Sequence, residues 1–94
     1  MASKKNLKKD VNFLVDDVIG TCMMHQSIGN NKNEKELNEI IEEITLFRDD
    51  LIKEVNNPEL PESAKNLRSY YRELYQKFLK RVDEAYDKIN KLTE

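Results

Sequence analysis

The 94 residues of the chain limit it to one domain with a modest core. A hydrophobic share of 38% beside 36% charged residues, with only two glycines and two prolines, excludes a disordered chain and fits a solvated helical bundle. The formal net charge of -2 argues against general nucleic-acid binding, and no apolar run of about 18 residues is present to span a membrane.

The first expected helix covers residues 4–28 and carries Leu7, Val11, Leu14, Val18 and Cys22 at steps of three and four, which align on one helical stripe. Gly29 then suits the left-handed residue that closes a helix, and Asn30, Asn31 and Lys32 form a polar turn. Asn33 followed by Glu36 resembles a capping box and opens a second helix over 34–56, with Leu37, Ile40, Ile41, Ile44, Phe47, Leu51 and Val55 on its stripe. Asn57, Pro58 and Pro61 interrupt the pattern. The third helix is expected over 62–92, where Leu67, Tyr71, Leu74, Phe78, Val82, Ala85, Ile89 and Leu92 give the clearest stripe of the chain. Short connections make consecutive helices antiparallel neighbours, so the expected fold is an all-α, up-down-up three-helix bundle with a long C-terminal helix. Helix 2 is rich in acids and helix 3 in bases, which favours their register.

A three-membered bundle needs one apolar face per helix, yet helix 1 has a second. Phe13, Asp17, Gly20 and Met24 share a stripe roughly opposite Val11, Val18 and Cys22. Either the long third helix or a loop covers these side chains, or they form an interface in which Gly20 allows close backbone approach. Tyr75, Leu79 and Tyr86 widen the apolar face of helix 3 in the same way, and tyrosine is enriched at interfaces. The expected interface is therefore Phe13, Gly20, Met24, Tyr75, Leu79 and Tyr86, with a second copy of the chain as the partner or, failing that, another protein.

Arg48 falls inside the helix 2 stripe, where Asp16 or Asp17 of helix 1 could pair with it, and Arg81 stands at the margin of the helix 3 stripe. For both, escape of the guanidinium to the bundle edge outweighs anion binding. Lys4, Lys5, Lys8 and Lys9 crowd the start of helix 1, against the helix dipole, and that end is expected to fray. With Lys65, Arg68 and Arg72 beside Tyr70 and Tyr71, they are the candidate contacts for phosphate or a nucleic acid, but no nucleic-acid-binding motif accompanies them. Cys22 and His25 have the spacing of two ligands on one helical turn, but the chain has no second cysteine or histidine to complete a metal shell. The paired acids Asp16 and Asp17, Glu42 and Glu43, and Asp49 and Asp50 lack the Glu-x-x-His motif of di-iron bundles and read as solvated faces.

The segments NLKKDVNFLVDDVIG, LFRDDLIKEVNNP and SYYRELYQKFLKRVDEAYDKINKLTE resemble those of short helical proteins of Bacteroides-type bacteria. The resemblance covers nearly the whole chain, implies an all-helical fold and a bacterial origin, and carries no catalytic motif. With no cofactor or metal called for, a lone cysteine and no signal peptide, the expectation is a cytoplasmic, non-enzymatic interaction protein that acts through homodimerisation or a protein partner. The competing expectation is an RNA-binding or ribosome-associated accessory factor that uses the N-terminal lysines and the basic, aromatic patch of helix 3.

Overall fold

The computed structural model describes residues 4–29, 32–58 and 66–93 and contains three helices, α1 (Lys4–Ile28), α2 (Glu34–Asn56) and α3 (Leu67–Thr93), with no strand among the described residues. Each helix packs against both others. Contacts between side chains set their directions. Glu43 of α2 meets Lys88 of α3, and Val55 of α2 meets Tyr71 of α3, so these two run antiparallel. Asp17 of α1 meets Tyr86 of α3, and His25 and Leu92 line one cleft at the same end, so α1 and α3 run parallel. The result is an up-down-up bundle 48 Å long.

The core is the meeting line of the three stripes. Leu7, Val11, Val15, Val18 and Cys22 of α1 are all 0% exposed. Burial of a single Val or Leu side chain contributes about 1.5–3 kcal/mol, so this row is a large part of what holds the fold. Leu37, Ile40, Ile44, Leu51 and Val55 supply α2's share, and Tyr71, Leu74, Phe78, Val82, Ala85 and Ile89 supply α3's. Val15 was not among the expected core residues. It follows Val11 by one turn and points to the centre, whereas Leu14 is displaced to the margin with Ile41, Phe47 and Leu92.

The helix ends depart from expectation in three places. Gly29 does not adopt the left-handed conformation; its N–H donates to the His25 carbonyl at 2.9 Å, continuing the helical pattern, and the turn is closed by Lys32 N–H donating to the Gly29 carbonyl at 3.1 Å. Asn33 makes no side-chain cap to α2. Its Nδ2 instead donates to the Leu92 carbonyl at 2.8 Å, satisfying one of the carbonyls that the last turn of α3 leaves without a helical partner. The described part of α3 begins at Leu67, where Asn66 Oδ1 accepts the Ser69 N–H at 2.8 Å as an N-terminal cap. Residues 62–65 of the expected helix, and the Pro61 expected to precede it, lie outside the described residues. So do Asn30 and Asn31.

Leu67, counted as the first residue of the helix 3 stripe, is 41% exposed. The level of Asp17 with Tyr86 places Lys4 opposite about Glu73, so the first turn and a half of α3 overhangs α1 and Leu67 has no α1 side chain above it.

Replacing Asn33 with Ala is expected to lower the unfolding free energy by about 1 kcal/mol, since the Leu92 carbonyl loses its donor while α2 loses no cap. Urea denaturation followed by circular dichroism measures this; an unchanged midpoint would remove the Asn33 bond from the list of stabilising contacts.

Candidate interaction surface

Helix periodicity decides which side chains of α1 face out. With the core row centred on Val11 and Cys22, residues 13, 17, 20 and 24 fall on the far side, and Ile28 lies on the flank. Phe13 is 72% exposed, Met24 51% and Ile28 72%, and a Cβ added at Gly20 would meet nothing within 4 Å. Neither α3 nor any described loop covers this stripe. Ile28 does not belong to it: it lines the cleft at the end of the bundle with His25, Leu37 and Leu92.

The α3 members of the expected interface border the same surface. Tyr86 is half-buried against the core, and its hydroxyl donates to Asp17 Oδ2 across the α1/α3 seam, while the Thr21 hydroxyl donates to the Asp17 carbonyl at 2.9 Å. Tyr86 is therefore engaged within its own chain, and only part of its ring is available. Tyr75 is likewise half-buried, and Leu79 is 36% exposed. Tyr75 and Leu79 lie three and two turns before Tyr86, on the side of α3 that meets α1. The six expected residues thus share one side of the molecule, with Phe13, Gly20 and Met24 open and the tyrosines partly spent.

The remaining seam is polar and specific. Gln26 Nε2 donates to Asn38 Oδ1 at 2.8 Å between α1 and α2, and Lys88 Nζ donates to Glu43 Oε2 at 3.1 Å between α2 and α3. Arg81 lies 4.5 Å above the centre of the Phe47 ring and donates to Glu84 at 3.3 Å, so its guanidinium is held at the α2/α3 margin. Arg48 does not reach Asp16 or Asp17. Its Nε donates to the neighbouring Asp49 at 3.3 Å, with its side chain 27% exposed, because its stem follows the apolar margin while its head turns to solvent.

The basic, aromatic patch is split by the fold. Tyr71 is 5% exposed and its hydroxyl donates to the Val55 carbonyl at 3.2 Å, so its ring cannot stack on a base. Tyr70 is half-buried beside it, with ring centres 6.3 Å apart. Arg68 and Arg72 are exposed, and Lys65 lies outside the described residues. Lys4, Lys5 and Lys9 are exposed and Lys8 is half-buried; all four lie within the helical part of α1.

Cys22 is sealed in the core, and burial pushes its thiol above the ordinary value of 9.0, the opposite of what a nucleophile or a metal ligand requires. His25 is half-buried one turn away, and among the described residues no three His, Cys, Asp or Glu side chains converge on one point. No described helix is long and apolar enough to cross a membrane.

Arg48→Met is expected to leave stability within about 0.5 kcal/mol of the parent, because an exposed neighbour pair contributes little. A loss of several kcal/mol on denaturation would instead require a buried acidic partner. Burial first, and then the hydrogen bond to Asp17, raise the Tyr86 phenol above its ordinary value of 10.0. The neutral phenol is thus favoured by folding, so its contribution is complete below pH 10.0 and fades as pH rises through the higher folded value. Tyr86→Phe is expected to cost about 1 kcal/mol at neutral pH and to remove that part of the alkaline loss of stability. Paired denaturation curves of parent and variant at pH 8 and above pH 10 test it, and parallel losses in both proteins would contradict the assignment.

Comparison with protein-family models, with curated proteins and with solved structures finds no match to this chain.

Proposed function

We propose that this chain is a non-enzymatic interaction protein that self-associates through the outward face of α1, with the α1/α3 margin contributing. The observation that carries this reading is the pair Phe13 and Met24, both more than half exposed on a helix whose opposite face already fills the core. Single exposed apolar residues are ordinary, as Leu46 is on the acidic outer face of α2, but an aligned pair beside an open glycine is what a helix-packing surface needs. Twofold pairing of identical surfaces is the commonest arrangement for such a face. A cytoplasmic location and kinship with the short helical proteins of Bacteroides-type bacteria go with this reading.

A second reading, an accessory factor that binds RNA, is favoured by one observation: Lys4, Lys5, Lys9, Arg68 and Arg72 are exposed at the same end of the bundle. Burial of Tyr71 weighs against it, because single-strand binding relies on open aromatic platforms.

Light scattering on a size-exclusion column is expected to give twice 11.1 kDa at both low and high salt. Replacing Phe13 and Met24 together with Glu is expected to yield the monomer, with at least a tenfold weaker association and helical circular dichroism intact. Loss of helicity would assign these side chains to folding instead. A monomeric parent that binds single-stranded RNA in a strongly salt-dependent manner would favour the second reading.

A further inference from the structure

The charges of the bundle are sorted along its axis. Among the described residues, the end that holds the start of α1, the end of α2 and the start of α3 (residues 4–12, 47–58 and 66–80) carries ten Lys or Arg and five Asp or Glu. The opposite end (residues 13–29, 32–46 and 81–93) carries five Lys or Arg and ten Asp or Glu. Each molecule is therefore a rod with a basic and an acidic end, although its net charge is close to zero. Lys4, Lys5, Lys8 and Lys9 lie against the dipole of their own helix at the basic end.

We infer that two copies pair antiparallel, α1 against α1, about a twofold axis that passes close to Gly20. This rests on self-association through the α1 face and adds the orientation and register of that contact. Three features carry it. Antiparallel pairing sets each basic end beside the partner's acidic end and opposes the two helix dipoles, whereas parallel pairing stacks like on like. Phe13 lies seven residues before Gly20 and Met24 four after it, so an axis at Gly20 places the exposed Phe13 and Met24 of both copies along one seam. Gly20 has open space above it, which lets the two backbones approach at the axis. The Asp17 carboxylate, on the same stripe, is drawn to the α3 side by Tyr86 and so stands at the rim. Charge chooses the orientation, and the apolar pair supplies the hold, since exposed charges are screened beyond about 8 Å in physiological salt.

The test is site-directed cross-linking with a short bis-maleimide in dilute protein, using Gly20→Cys and Lys9→Cys separately; the native Cys22 is sealed and stays unreacted. At 1.5 Å per residue the antiparallel arrangement sets two residue-9 positions about 33 Å apart, beyond the reagent, while two residue-20 positions meet. The expected result is at least tenfold more cross-linked dimer from Gly20→Cys than from Lys9→Cys. A mixture of Phe13→Cys with Ser27→Cys, seven residues to either side of an intact Gly20, should give the mixed product over either self-product. Equal cross-linking at positions 20 and 9 would establish parallel pairing and overturn the inference while leaving self-association standing. A dimer by light scattering with no α1 cross-link would overturn both the orientation and the surface, and a monomeric parent would end both proposals.

Discussion

Five side chains of α1, from Leu7 to Cys22, have no contact with water, and the packing of both other helices depends on covering them. A helix can be sealed along one stripe only if two neighbours lean on it from either side, and this is what α2 and α3 do. Helix lengths, the short α1/α2 turn and the parallel course of α1 and α3 follow from the need to keep that row covered over its full length. Where the cover ends, at the overhanging start of α3, Leu67 becomes exposed.

The apolar stripes are permissive about register, since one Ile or Leu replaces another at modest cost. Side-chain hydrogen bonds at the margins select among the alternatives. Asn33 ties the start of α2 to the last turn of α3, Tyr71 ties α3 to the end of α2, and Tyr86 ties α3 to Asp17 of α1. Each is a modest contribution by itself, on the order of 1 kcal/mol. All three involve α3, so a slip of α3 by one helical turn would break them together.

The same economy explains why the outer face of α1 stands apart. The polar margins of the bundle are matched with partners from the same chain, including Gln26 with Asn38, Lys88 with Glu43 and Arg81 over Phe47. Phe13 and Met24 have no such match, although an exposed helix face is satisfied by polar residues at no cost to the core. Two large apolar groups stand there around a glycine that lowers helix propensity and fills no packing need inside the chain, and the proposed self-association rests on them. On that proposal, the bipolar distribution of charge gives the contact its direction.

Hydrophobic spacing, with the breaks at Gly29 and Asn57–Pro58, indicated three helices at about the observed places and identified most of the core, because a period of 3.6 residues is a local property that side-chain chemistry writes directly. It also marked the second stripe of α1. What it did not determine was anything that depends on a residue from another helix. Asn33 has the pattern of a cap, yet its amide serves the carbonyl of Leu92, 59 residues away. Tyr71 falls on the helix 3 stripe by spacing, yet only the fold shows its hydroxyl closing the end of the core on the Val55 carbonyl. For Arg48 the length of the side chain already implied escape to the edge, and only the fold shows that Asp49, not Asp16 or Asp17, is its partner. Whether Phe13 and Met24 were covered or open was likewise settled only in three dimensions, because the two outcomes share one helical pattern and differ in where α3 lies around α1.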